Sequence, residues 1–284
     1  MTRPTALWLP ATILLSSFCA GCTSLESQYD ANLRAAFGAQ PAAPSAPLAE
    51  ADLAHLPAPV QRYVRRSGAV GRPRVQNVRF EFEARMFNKP GAGAIPATSV
   101  QHNFFARPTR LFLMKARMFG LPVRVLHAYA EEEATMRVRI ASLVDKVDLA
   151  GEELAIGETV TVLNDMCLFA PGALVDPRLG WEQLDERTVK VSFQNGRRRV
   201  AAVLHFNERD ELVNFVSDDR AALLDDGTLR RYRWSTPVED YREFEGRRVA
   251  TRGAAIYAYP EGDFTYGTFV LKSIAYDVPA PPQR

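Results

Sequence analysis

The sequence predicts a mainly β protein of α+β type: a curled antiparallel sheet or half-barrel of about ten strands with two or three short helices. Three observations predict it. Apolar and polar residues alternate with period two through much of 75–278, the breaks between runs are short and rich in Gly, Pro, Asn and Asp, and only three stretches carry a helical period. Short breaks imply antiparallel neighbours, because a parallel pair needs a long crossover.

The chain opens on an export signal. Arg3 precedes an apolar segment, Ala6 to Phe18, broken by Pro10 and followed by the small residues Ala20 and Gly21 before Cys22. A spanning helix needs about 20 apolar residues, so this segment is too short to cross a bilayer and has the form of a secretory core. Cys19-Ala20-Gly21-Cys22 resembles the bacterial lipoprotein lipobox, with Cys19 where the family pattern usually has Leu. That resemblance implies cleavage before Cys22, acylation of its thiol and amine with palmitate-type chains, and an anchor in the membrane. Thr23, in place of Asp after the lipidated cysteine, implies the outer membrane, with the protein facing the periplasm.

The domain plan follows: a signal peptide over 1–21, a tether over 22–50, an antiparallel β domain over 51–279 and a tail over 280–284. Within the tether Leu25, Tyr29, Leu33 and Phe37 recur every four residues as the stripe of a short helix, and a Pro- and Ala-rich spacer follows. Pro59 suits a first helical turn and Ser67-Gly68 a stop, so 58–67 is expected to be helical.

From Val75 the period is two. Val78, Phe80, Phe82, Ala84 and Met86 alternate with polar residues; Phe112, Met114, Ala116 and Met118 do the same, as do Met136, Val138 and Ile140, and Val189, Val191 and Phe193. Asn195-Gly196 is the strongest hairpin signal, joining 187–194 to 197–206. Ile156, Val160, Leu163 and Cys167 mark one internal helix between Gly151 and Pro171, and Leu168 to Gly180 is a long loop, a crossover or a lid. The last third, 228–278, is a β-meander turning at Glu245-Gly246 and at Pro260 to Asp263. In its final strand Phe264, Tyr266, Thr268, Val270, Ile274 and Tyr276 are expected on one face, with Phe269 and Leu271 on the other.

Three blocks then carry a resemblance: LPAPVQRYVRRSGAVGRPRV (56–75), WEQLDERTVKVSF (181–193), and WSTPVEDYREFEGRRVATRGAAIY with EGDFTY (234–266). They resemble an uncharacterised bacterial family of unknown function. That family is similar in organisation to the periplasmic lipoprotein-carrier (Lol-type) folds, in which a curled sheet holds acyl chains against helices. The resemblance supplies no catalytic residues.

Size leads to the same expectation. Ten strands span about 48 Å, whereas two helices of about 10 Å diameter cover less than half of that. The uncovered apolar face must close on itself, pack as a sandwich, or leave a hollow that takes a guest. The candidate ligand-binding residues are Phe80, Phe82, Met86, Phe112, Met114, Met118, Met136, Val138, Trp234 and Tyr266. Methionine is frequent among them, and it adapts to varied apolar partners.

Other chemistry finds little support. With 35 basic and 33 acidic residues, and a net charge of +2, the chain lacks the basic field that nucleic acid requires. His55, His102, His127 and His205 form no metal-ligand pair, and no phosphate loop, dinucleotide fingerprint or G-x-S-x-G elbow occurs, so no cofactor, metal or catalytic residue is assigned. Cys167 lies on the apolar face of a helix and reads as a structural thiol. Asp240, Tyr241 and Arg242 read as a buried polar network fixing the meander. Glu131 to Glu133 read as a solvated turn, and Arg197 to Arg199, Arg230, Arg231 and Arg233 as solvating sheet edges or as contacts to anionic headgroups. Binding of a lipid or other apolar ligand by a membrane-anchored protein is the leading reading. A non-enzymatic envelope module with a fully packed sheet and a hydrolase using Asp, His or Cys167 are the alternatives.

Overall fold

A computed structural model describes residues 24–41, 46–141 and 144–281. The signal segment and Cys22 lie outside the described residues. Among the described residues there are three α-helices: α1 (Leu25–Ala39), α2 (Ala58–Arg66) and α3 (Glu152–Phe169). The strands of the first half are β1 (Asn77–Met86), β2 (Ile95–Phe104), β3 (Thr109–Met118), β4 (Leu121–Ala130), β5 (Glu133–Ile140) and β6 (Val144–Ala150). After α3 come β7 (Leu179–Gln183), β8 (Thr188–Asn195), β9 (Arg198–Phe206), β10 (Leu212–Ser217), β11 (Ala221–Leu223), β12 (Leu229–Arg231), β13 (Arg233–Ser235), β14 (Val238–Phe244), β15 (Arg247–Tyr259) and β16 (Gly262–Tyr276).

Fourteen strands make one antiparallel sheet in the order β6-β5-β4-β3-β2-β1-β16-β15-β13-β10-β9-β8-β7, with β14 also on β15; β11 and β12 form a separate ribbon. The class matches expectation, but the strand count exceeds ten. Among the additional strands, β11, β12 and β13 have three residues each, too few to show a period. Chain order and sheet order diverge at β16, which returns to pair with β1 and places the meander at the centre of the sheet.

The sheet curls around α3. This helix touches β3, β5 and β6 on one side and β9, β10 and β11 on the other, and from Gly157 to Phe169 every residue is buried. Its apolar face, with Val160, Leu163 and Cys167, belongs to the main core. Helix α2 adds Val60, Tyr63 and Val64 to the same core, and the Tyr63 hydroxyl donates to the carbonyl of Cys167 at 2.8 Å. Gly68 ends α2 at φ +75°, and a Cβ there would lie 2.5 Å from the carbonyl oxygen of Gly246, so both backbone conformation and close approach require glycine.

Two expectations are corrected. Residues 25–39, assigned to the tether, pack on the convex face of the sheet: Leu25, Tyr29, Leu33 and Ala36 are buried against Phe104, Leu111, Leu113 and Leu126. The apolar stripe of α1 and the odd-numbered apolar residues of β3 cover one another, so the folded unit includes α1 rather than starting near Ala51. Leu48, also in the assigned tether, is buried, and its carbonyl accepts from Gly71 at 2.8 Å.

The second correction concerns β16. The register skips Tyr266 opposite Ala255 and Ile256, and skips Lys272 opposite Glu81 and Phe82. Each bulge inserts one residue and reverses the alternation beyond it. Phe269 and Leu271 therefore join Tyr266, Ile274 and Tyr276 in the core on the concave side, whereas Thr268 and Val270 face a shallow outer depression with Arg85 and Glu239. The expected faces hold only between bulges.

Smaller corrections follow from the same geometry. Asp240 and Arg242 form a surface pair at 2.9 Å rather than a buried network, and only Tyr241 turns inward, donating to the Leu212 carbonyl at 2.7 Å. The turn of Glu131 to Glu133 is engaged as well as solvated: Glu132 accepts from the backbone of Arg197 at 3.2 Å, and the carbonyl of Glu132 accepts from Arg198. Arg197 and Arg198 also pair with Glu152 at 2.8 Å each, Arg231 with Glu153 at 2.9 Å and Arg233 with Asp218 at 2.9 Å. The expected loop over 168–180 is shorter, because α3 runs to Phe169 and β7 starts at Leu179; 170–178 is a packed crossover in which a 3₁₀ turn, Pro171–Val175, buries Leu174.

Candidate functional site

Between α3 and the concave face of the sheet lies a hollow in two lobes, with cavity volumes of about 190 Å³ and 410 Å³. Met86, Met114, His127, Arg220 and Tyr266 line both, so the lobes meet there. Period-two strands build the walls. Phe112 and Met114 project inward from β3 while Leu111 and Leu113 project outward onto α1.

Of the candidate residues, Phe82, Met86, Phe112, Met114, Trp234 and Tyr266 line the smaller lobe. Met86, Met114, Met118, Met136, Val138 and Tyr266 line the larger one. Phe80 lines neither: it is buried, with ring centroids 4.7 Å from Phe169 and 5.3 Å from Phe82, and it supports the wall from behind.

The floor is polar, which the sequence reading missed. Along α3, Gly157, Glu158, Thr161, Asn164, Asp165 and Leu168 recur at helical spacing and face the hollow. Arg110 on β3 reaches across to them, with Nη1 donating to Glu158 at 2.8 Å, Nε to Asp165 at 3.2 Å and Nη2 to Gln101 at 3.0 Å. Gln101 and Asn103 also donate to Asp165, at 2.6 and 2.8 Å. His127 Nδ1–H donates to Glu158 at 2.9 Å, and Asn164 accepts from Thr236 at 2.6 Å. Burial alone would raise the Glu158 carboxyl, but the charge of Arg110 and the hydrogen bond from His127 outweigh it and hold Glu158 well below the usual range. For Asp165 burial wins over Arg110 and the amide donors, and its pKa is raised. The available signal was faint: from Gly157 to Ala170 the helix carries only Glu158 and Asp165 as charges and no Lys or Arg, sparse for a solvated face.

Arg220, between β10 and β11, stands apart from this network. Its guanidinium lies 4.7 Å over the Trp234 ring, and Nη1 donates to the Tyr257 hydroxyl at 3.0 Å. Its Nε is buried without a hydrogen-bond partner. Tyr257 stacks on Tyr266 at 5.2 Å, and Tyr266 accepts from Trp234 Nε1 at 3.0 Å, so an aromatic wall backs the junction.

The remaining sequence candidates lie elsewhere. Cys167 is fully buried and burial pushes its thiol up, which disfavours the thiolate. His102 is on the convex face, accepting from the Tyr29 hydroxyl at 2.6 Å. Among the described residues no group of three His, Cys, Asp or Glu is placed to hold a metal ion, and no helix is long and apolar enough to cross a membrane.

Residues 46–269 match a family described as a family of unknown function (DUF6544). The chain belongs to DUF6544. No curated protein matches it. Three solved structures are similar to this DUF6544 protein. A DUF1329 family protein from Desulfovibrio piger is 14% identical with a TM-score of 0.44, covering 78% of this chain and 92% of its own. A putative outer membrane lipoprotein-sorting protein domain from Vibrio parahaemolyticus is 8% identical with a TM-score of 0.43, covering 77% and 91%. A LolA superfamily protein from Nitrosomonas europaea is 10% identical with a TM-score of 0.44, covering 78% and 94%.

Proposed function

We propose that this DUF6544 protein is a membrane-anchored lipoprotein that binds a lipid or acyl chain in the hollow between α3 and the sheet. The observation that carries the reading is the hollow itself. A chain able to close its sheet on side chains instead leaves two joined cavities, walled by Met, Phe and Val and within reach of the roughly 300–1,000 Å³ of small-molecule sites. Thioether and aromatic walls suit a flexible hydrocarbon, because they repack around varied chain shapes. Phe82, Met86, Phe112, Met114, Met118, Met136, Val138, Trp234 and Tyr266 are the contacts, with Phe80 behind them. Binding needs no covalent step.

The lipobox and the residue after Cys22 support lipidation at Cys22 and a place at the outer membrane facing the periplasm. With its protein attached to one membrane, the hollow would receive or present a lipid near that surface.

The reading is tested with detergent-free, delipidated full chain and the apolar fluorophore N-phenyl-1-naphthylamine. Fluorescence should rise on binding and fall when palmitate competes, and Met136→Trp, which fills the larger lobe, should lower the signal. No enhancement by the unmodified chain, or the same signal from Met136→Trp, contradicts it. Labelled palmitate should be incorporated in cells by the native chain and not by Cys22→Ala.

A further inference from the structure

Resting on the reading of the hollow as an acyl-chain site, the geometry points to a specific ligand class: a single-chain amphiphile with an ionised head, carboxylate or phosphate, held by Arg220 with its chain in the larger lobe. Among the described residues Arg220 is the cation of the hollow that makes no close ion pair. Arg110 has two carboxylates within 3.2 Å, whereas Arg220 has no carboxylate within 4.0 Å among the described residues. A guanidinium stays charged in any protein; Glu158 and Asp165 act on this one only from beyond ion-pair distance, and a charge set among apolar walls without a close anion is costly. The Trp234 ring and the Tyr257 hydroxyl offset only part of that cost.

Position strengthens the argument. Arg220 lines both lobes, and its stem passes over Gly157 of α3, where a Cβ would lie 3.7 Å from Arg220 Cγ. An anion at the junction would meet a guanidinium already held in place by Trp234 and Tyr257, while Nε itself is shielded from the hollow. Glu158 and Asp165, the two acids of the floor, are each hydrogen-bonded to Arg110, which partly neutralises them toward an incoming anion. From the junction the larger lobe runs out along Met114, Met118, Met136 and Val138, giving a chain an apolar path away from the head. Arginine suits the role because its planar fork bonds carboxylate and phosphate in two places at once.

The test compares dodecanoate, dodecyl phosphate and 1-dodecanol, which share a chain and differ in the head, by titration calorimetry on the delipidated full chain at a pH where the acids are ionised. The native chain should bind at least one anion about tenfold or more tighter than the alcohol, the range expected for a charge-assisted hydrogen bond, and the stronger of the two identifies the head. Arg220→Gln should abolish that preference while keeping its affinity for 1-dodecanol, and Arg220→Lys should keep part of it. Equal binding of acid and alcohol by the native chain overturns the anion site but leaves the apolar hollow standing, as does a preference that survives in Arg220→Gln. Should Arg220→Gln fail to fold, the native chain and Arg220→Lys decide. If none of the three ligands binds the native chain, the acyl-chain reading falls with it.

Discussion

Arg110 is the side chain whose removal the fold should tolerate least. It joins β3 to the polar face of α3, and its loss takes the closest cation from both Glu158 and Asp165, which are buried. Arg110→Met should lower unfolding stability in urea by about 3–5 kcal/mol, and adding Glu158→Gln should recover part of the loss. Its placement could be read in part from the sequence, because period two puts Arg110 on the face of Phe112 and Met114. Its partners could not be read, since Glu158 and Asp165 lie 48 and 55 residues away on a helix whose polar side looks solvated until a sheet wraps round it. Gly157 makes the opposite prediction. It lies inside α3 with room for a methyl group at ordinary contact distance from Arg220, so Gly157→Ala should raise stability by up to about 1 kcal/mol through helix propensity, seen as a higher melting temperature.

At the scale of elements, α1 and β16 show where a one-dimensional pattern loses information. The stripe of α1 predicted a helix but not its seat, because the apolar residues that receive it, Leu111 and Leu113, are hidden in a strand apolar on both faces. In β16 the two bulges are invisible to alternation, which assumes an unbroken ladder. The seat of α1 carries a pH dependence. His102 is held down to about 4, first by burial and then by the charge of Arg79, and its neutral ring accepts the Tyr29 hydroxyl. A histidine depressed in the folded state stabilises fully above its unfolded value of about 6.5 and loses that contribution as pH falls toward the folded value. Stability should therefore drop by on the order of 2–3 kcal/mol between those limits, and protonation requires the Tyr29 hydroxyl to turn and accept from the ring. His102→Gln should flatten this part of the profile in denaturant titrations; an unchanged slope would place the titration elsewhere.

At the scale of the molecule, the excess of apolar sheet over helix was legible from strand count and helix length alone, and a hollow was one of three ways to accommodate it, beside a closed sheet and a sandwich. What the sequence withheld was the polar floor, since α3 serves at once as core and as the lining of a cavity. The rim is held by contacts between distant ends of the sheet: Asn195 donates to the Tyr129 hydroxyl at 2.7 Å, and Arg198 joins Glu152 to the β4–β5 turn. Those stitches keep the half-barrel curled over α3 and the hollow open. The most direct test of the account is mass spectrometry of organic extracts from full chain purified without detergent. A covalent anchor stays with the protein during extraction, so the account predicts a released acyl lipid near one per chain, reduced in Met136→Trp. Extracts with no acyl lipid, from a protein that also takes up none when offered it, would contradict it.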